Sequence, residues 1–255
     1  MTEQLTTGNS ILGLTNVSLL TRVIKRLENR AYGLDGIGVF SGEPGLGKSI
    51  ACAYAAASMG AIHISVQEMW TKKMLLEQIL MEMGITPKRT QAYIMMQVNE
   101  ELALARRTLI IDEADFALKK GMIEVIRNMH DGSGVPIVLI GMDELAQKLR
   151  KWPQVDSRVL TWVQAEYATL RDAHMMVGMY APGIKISDQM IAVIRERNGA
   201  IPRRMANDFA LVLEKCREMG VSEISLDQWG KAPLAPNKAP APRYRATVGE
   251  VDYDA

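Results

Sequence analysis

The sequence predicts an α/β fold, a parallel sheet flanked by helices on both faces, followed by a smaller helical part. Three observations predict it. Short apolar runs of strand length alternate with longer stretches of helical periodicity from residue 16 to about 180. A glycine-rich string, GEPGLGKS at 42–49, leaves one of those runs and opens the stretch after it. Beyond Tyr180 the alternation stops, and from Ser187 to Met219 the pattern is helical only, in two pieces broken by NGAIP.

Residues 1–15 are polar and read as a flexible lead-in. NVSLLTRVIKRLENRAYG, 16–33, carries Val17, Leu20, Val23, Ile24 and Leu27 at helical spacing, with Asn16 as N-cap and Gly33 as its stop. GIGVF, 36–40, is the first strand. SIACAYAAASMG, 49–60, is a helix rich in small residues and closed by Gly60. AIHISV, 61–66, is the second strand. Two amphipathic helices over roughly 70–83 and 91–106 follow, joined by GITPKRT. Thr108 to Ile111 is the third strand, LKKGMIEVIRNMH (118–130) a helix, and DGSG (131–134) a turn. VPIVLIG (135–141) is the fourth strand, DELAQKLRKW (143–152) a helix, and RVLTWVQ (158–164) the fifth strand. The expected organisation is a lead-in over 1–15, an α/β domain over 16–182, a helical lid over 183–230 and a disordered tail over 231–255. The tail has four prolines and few large apolar residues. It is either an inert end or a docking strand.

Composition excludes several classes. Of 255 residues, 48% are apolar and 23% charged, enough for a full core in a water-soluble chain. The net charge of +1 gives no global nucleic-acid signature, so any basic surface is local. Cys52 and Cys216 lie far apart, His63, His130 and His174 are scattered, and no CxxC or Cys/His cluster occurs in the string. A disulfide framework or zinc site is therefore not expected, and a reducing cytosol fits. The N-terminus MTEQLTTGNS does not read as a signal peptide, and no run of about 18 apolar residues predicts a membrane span. The methionine-rich strings MLLEQILMEMG and MMQV, and Trp152, Trp162 and Trp229, are expected to pack in the core or at interfaces.

The chemistry is carried by two strings. GEPGLGKS fits G-x-x-x-x-G-K-[ST] and stands between a strand and a helix, as a phosphate loop requires. Its glycines let backbone N–H groups point at phosphate, Lys48 neutralises the β- and γ-phosphates, and the Ser49 hydroxyl can ligate Mg²⁺. Gly42, Glu43, Pro44, Gly45, Leu46, Gly47, Lys48, Ser49 and Ile50 are the expected nucleotide-binding residues, and ATP with Mg²⁺ the expected ligand. In TLIIDEAD, the strand residues Thr108 to Ile111 deliver Asp112 to the end of a strand, where it would hold Mg²⁺, and Glu113 would orient or deprotonate the attacking water. DEAD does not signal a DEAD-box helicase, because that needs two RecA-like units and further motifs.

With the helical segment placed after the α/β unit, these strings resemble the AAA+ ATPases, whose nucleotide lies between the α/β domain and a lid and often against a neighbouring subunit. The resemblance implies a sensor 1 residue just after the fourth strand. Met142 stands there instead of a polar residue, and Asp143 is the nearest polar one. It implies a sensor 2 arginine in NGAIPRRMANDFA, with Arg203 the first choice and Arg204 the second. An arginine finger before the fifth strand would be Arg158, with Arg150 and Lys151 as competitors.

Residues 10–230 further resemble the ATPases of DNA transposition systems, the phage Mu B protein, TniB and TnsC, with ExeA and the IstB and DnaC loaders more distant. GLTNV, VFSGEPGLGKS, MWTKKMLLEQILMEMGI, LIIDEAD, PIVLIGMDEL and GAIPRR carry this likeness by order and spacing. It implies a DNA-stimulated cytoplasmic ATPase, of a bacterium or a phage-infected cell, that assembles as rings or helical filaments on duplex DNA. It would mark target DNA for a transposase, with no membrane partner and little base readout. Lys72, Lys73, Lys88, Arg89 and Thr90 occupy the region that meets DNA in those relatives, where repeated weak phosphate contacts suffice. The alternative is a helicase loader of the DnaC/IstB kind. A secretion ATPase and a non-hydrolysing scaffold are the remaining rivals.

Overall fold

The computed structural model describes residues 13–119, 121–230 and 234. The lead-in over 1–12, Lys120 and the rest of the expected tail lie outside the described residues. In chain order the elements are α1 (Thr15–Glu28), β1 (Ile37–Ser41), α2 (Lys48–Met59), β2 (Ile62–Ser65), α3 (Lys72–Glu82), α4 (Gln91–Ala105) and β3 (Leu109–Asp112). Then come α5 (Ala114–Lys119), α6 (Ile123–Ser133), β4 (Ile137–Gly141), α7 (Leu145–Leu149), α8 (Pro153–Asp156), β5 (Val159–Gln164) and α9 (Leu170–Tyr180). The chain continues with β6 (Lys185–Ile186), α10 (Asp188–Arg197), α11 (Pro202–Met219), β7 (Glu223–Ile224) and α12 (Leu226–Trp229).

The fold is α/β. Five parallel strands take the order β2-β3-β4-β1-β5. The inner strands β1, β3 and β4 are buried at every residue, while the edge strands β2 and β5 are only partly buried. That is why IGVFS, LIID and IVLIG are nearly uninterrupted apolar runs: helices cover both faces of a parallel sheet. On one face α1 and α2 pack Leu20, Ile24 and Cys52 against Phe40 and Ile140. On the other, Leu76, Ile79, Val98, Leu102 and Ile126 pack on Ile37, Ile111 and Leu139. Parallel pairing aligns the strand ends, so Ser41 sits beside Gly141 and Asp112 beside Ser65 on one rim. Among the described residues no helix is long and apolar enough to cross a membrane.

Three local expectations are corrected. The first helix starts at Thr15 with Leu14 as its cap and ends at Glu28, rather than running from Asn16 to Gly33, because the Asn16 side chain is engaged elsewhere. The predicted helix over 118–130 is two helices, broken at Gly121, whose φ is +63°. Asp131 to Ser133 of the expected turn continue α6, held by the Arg127–Asp131 pair at 2.8 Å and closed by Gly134 in the left-handed conformation. The methionines also differ from expectation: Met69, Met74, Met81 and Met96 are exposed, as is Trp162 on edge strand β5, while Trp229 is buried.

The helices α9 to α12 share a second core around Ala173, Met176, Met190, Ile194, Phe209, Val212 and Trp229. Helix α9 belongs to this packing although it precedes residue 183. Side chains of Thr169, Ser187 and Ser225 cap α9, α10 and α12, two of them in reciprocal capping boxes with Asp172 and Gln228. Asp208 is fully buried there and accepts from Asn198 Nδ2 at 2.6 Å and Arg197 Nη1 at 3.0 Å.

Replacing Asp208 by Ala strips acceptors from buried Asn198 and half-buried Arg197. At about 1–3 kcal/mol for a buried donor left without a partner, the Asp208→Ala variant is expected to unfold at clearly lower urea. An unchanged midpoint would show that this carboxylate does not hold the lid together.

Candidate active site

The loop from β1 to α2 turns through two glycines in the left-handed region, Gly45 and Gly47, both with φ of +87°. Gly47 is also the N-cap of α2 and brings no capping side chain, so the first turn, Lys48 to Ile50, lines the cleft with a free helix N-terminus. A Cβ placed on Gly47 would meet nothing within 4 Å, so the loop is open on that side. The Gly42 amide donates to Gly141 O at 3.3 Å, tying the loop to the end of β4. Lys48 Nζ donates to Gly42 O and to Glu43 O, the latter at 2.8 Å, which holds the ammonium over the loop. Burial pulls its pKa down, against the attraction of Asp112, Glu113, Asp115 and Asp143.

The buried Asn16 clamps this loop from α1. Its Nδ2 donates to Leu46 O and Glu166 O, each at 2.7 Å, and its Oδ1 accepts from Glu166 N at 2.8 Å. Tyr167 adds a tie from the same linker, donating to Glu43 Oε1 at 2.6 Å.

Asp112 ends β3 facing the loop, with its Oδ1 accepting from Glu113 N at 2.8 Å. Glu113 has φ of +54°, a left-handed residue that is not glycine, a strained turn of the kind found at functional positions. Its pKa is raised, first by burial and then by the like charge of Asp112, with Lys48 opposing. Asp115, the last acid of the string, is structural: it accepts from Met142 N at 2.7 Å and Lys148 Nζ at 3.1 Å. A Cβ on Gly141 would lie 2.3 Å from Asp115 Oδ2 and would push that carboxylate off Met142 N.

The start of α11 borders the cleft. The Arg203 amide donates to Gly45 O at 3.1 Å, and a Cβ on Gly45 would lie 3.0 Å from Ile201 and 3.2 Å from Arg203 Cβ. Thr15 donates to Asp172 through both its amide and its hydroxyl, each at 2.8 Å, joining α1 to α9. Between these parts lies a cleft of about 300 Å³, lined by residues 44–50, Asp112, Glu113, Met142, Arg203 and apolar groups including Val17, Met176 and Met179. It has the parts a nucleoside triphosphate with Mg²⁺ requires: a cationic loop, a hydroxyl, two carboxylates and an apolar end.

The fold thus brings Lys48, Ser49, Asp112, Glu113 and Arg203 together. Arg204 is exposed and does not line the cleft, nor does Asp143. Arg158 precedes β5 at the opposite rim and donates to Asp131 Oδ1 at 2.6 Å and to Gln154 O at 2.8 Å. Lys72, Lys73, Lys88, Arg89 and Thr90 are all exposed. Thr71 and Thr90 cap α3 and α4, and Lys73 pairs with Glu77 at 3.4 Å. The sequence alone missed Asn16 as a clamp, Asp172 as a tether and a convergence of Cys52, His63 and Asp112; each joins positions far apart in the chain, and no local pattern announces them.

Residues 31–149 match the family model described as AAA domain. No curated protein matches the sequence. Among solved structures, the chain is similar to the Aeropyrum pernix ORC2 protein in its ADP form, at 17% identity and TM-score 0.64, covering 83% of this chain and 65% of that one. It is also similar to the Aeropyrum pernix ORC1 protein in complex with DNA, at 15% identity and TM-score 0.59, covering 84% and 62%. The Thermotoga maritima RuvB Holliday junction branch migration motor matches at 18% identity and TM-score 0.55, covering 84% and 66%. The chain thus spans about two thirds of the length of each. At these identities the likeness is one of fold, that of the P-loop AAA+ ATPases.

Asn16→Ala removes three hydrogen bonds from a buried position and is expected to cost about 1–3 kcal/mol of stability. Asn16→Asp keeps the acceptor for Glu166 N but loses both donors and adds a buried charge, so it should destabilise at least as much. Chemical denaturation of both variants checks this; an Asp variant as stable as the parent would refute the clamp.

Proposed function

We propose that the chain is an ATP-hydrolysing switch that assembles on duplex DNA and recruits or activates a transposase. The observation that carries the ATPase part is the meeting of Lys48, Asp112, Glu113 and Arg203 around one cleft between the sheet rim and the lid. Residues 42–50 would wrap the phosphates, with Lys48 against the β- and γ-phosphates and the α2 N-terminus adding partial positive charge. Ser49 and Asp112 would hold Mg²⁺, which when bound supplies charge neutralisation between the phosphates. Glu113 would position the attacking water and take its proton; its raised pKa suits a base. Arg203, on the lid, would touch the γ-phosphate and so link hydrolysis to lid position. Arg158, facing away from its own chain's loop, would act on a neighbouring subunit after leaving Asp131.

DNA binding rests on the exposed basic residues after β2 and on the resemblance of the whole motif series to transposition ATPases. One structural neighbour is a complex with DNA. Lys72, Lys73, Lys88, Arg89 and Thr90 would contact phosphates without reading bases, repeated from subunit to subunit.

Sedimentation with ATP and duplex DNA should show oligomers on DNA; a monomer under all conditions would overturn the assembly reading. Lys48→Ala should abolish nucleotide binding. Glu113→Gln should bind ATP normally, hydrolyse at most a hundredth as fast given the roughly 10²–10⁴-fold contribution of a positioned base, and remain trapped on DNA. Normal phosphate release by the Glu113 variant would remove its assigned role. A purified cognate transposase should be retained by the ATP-bound oligomer, whereas retention of a replicative helicase instead would favour the loader reading.

A further inference from the structure

Behind the phosphate loop, three groups from three elements converge: Cys52 on α2, His63 on β2 and Asp112 at the end of β3. One ligand atom from each lies within 4.8 Å of the others. Cys52 Sγ and His63 Nε2 each stand 3.9 Å from Asp112 Oδ2. For the imidazole that separation is too long for a hydrogen bond, and His63 Nε2 is buried with no hydrogen-bond partner. The contrast with His130 is direct. That ring has both nitrogens engaged, accepting from Gly36 N at 3.1 Å and standing 2.9 Å from Val135 O. A histidine serving only the core is satisfied in the manner of His130; His63 is not.

We propose that Cys52, His63 and Asp112 form a site for a thiophilic divalent cation of the zinc class. A sulfur, an imidazole nitrogen and a carboxylate oxygen are the donors such an ion takes, whereas Mg²⁺ prefers oxygen throughout. Ligand atoms around a tetrahedral zinc ion stand about 3.3–3.6 Å apart, given metal–ligand lengths of about 2.0–2.3 Å. The two 3.9 Å spacings therefore close by about half an ångström, and the Cys52–His63 spacing, at most 4.8 Å, by up to about 1.3 Å. The His63 side chain is a quarter exposed, while its Nε2 faces the buried Cys52 and Asp112. On binding, the Cys52 S–H proton leaves to solvent as the sulfur–metal bond forms.

The ion would take Asp112 Oδ2, while Oδ1 stays with Glu113 N. It therefore withdraws the carboxylate that would hold Mg²⁺ and stops hydrolysis. This consequence rests on the ATPase reading; the site itself does not.

Titrating the nucleotide-free full chain with Co²⁺ should produce a thiolate-to-cobalt charge-transfer band that excess Zn²⁺ abolishes. Cys52→Ala should lose the band and Cys216→Ala keep it, with circular dichroism confirming that both are folded. His63→Gln should weaken Co²⁺ binding at least about tenfold, as loss of a direct ligand exceeds loss of an outer partner. Absence of the band in the parent, or its survival in folded Cys52→Ala, overturns the site. Separately, Zn²⁺ should inhibit phosphate release by the parent and spare Cys52→Ala. Equal inhibition of both overturns the regulatory role. A chain that shows the cobalt band but never releases phosphate would instead overturn the ATPase reading and leave the site standing.

Discussion

The carbonyl of Gly45 accepts the amide of Arg203, a bond that joins the glycine-rich loop directly to the start of α11. The bond exists because residue 45 has no side chain. Its φ of +87° is open to glycine, and any Cβ would press on Ile201 and Arg203. Everything above the sheet follows from this approach. The start of α11 is brought to the loop, the Arg203 side chain enters the cleft, and the cleft acquires a roof. Rotating the start of α11 away from the loop would break this bond, at about 0.5–1.5 kcal/mol.

Two further ties hold the assembly from the other side. Asn16 spends every polar atom of its side chain on the loop and on the linker that leads to α9. Asp172 takes Thr15 while also capping its own helix with Thr169. Both are buried, so each hydrogen bond is hard to replace by water. The start of α1, the phosphate loop and the lid thus meet around the apolar end of the cleft. The acidic rim works differently. Asp112, Glu113, Asp115 and Asp143 offset the burial of the Lys48 ammonium, and Asp115 is withdrawn from chemistry by Met142 N and Lys148.

The strongest sequence readings were those with local causes. Parallel strands buried on both faces must be continuous apolar runs, so LIID and VLIG mark themselves. A phosphate loop must place glycines and a lysine at fixed spacing, so GEPGLGKS does the same. Helix ends were less readable. Asn16 has the chemistry of an N-cap, but tertiary partners claim its side chain, and a backbone turn at Leu14 starts the helix instead. The methionines of α3 and α4 look like core in the string yet several are exposed, because apolar residues surround these helices rather than forming one face.

The sequence by itself determined the α/β sheet, the glycine-rich turn between β1 and α2, the acidic end of β3, and the helical segment that follows, since each is written in periodicity or spacing within a few turns of chain. Only the tertiary structure decided that Arg203 rather than Arg204 lines the cleft, that Arg158 pairs with Asp131, and that Cys52 and His63 stand beside Asp112. Those outcomes depend on strand order and on which way a helix is rolled. Strand β3 lies between β2 and β4, and α2 packs across that face. Such neighbours are set by the packing of the whole sheet, and no local string encodes them.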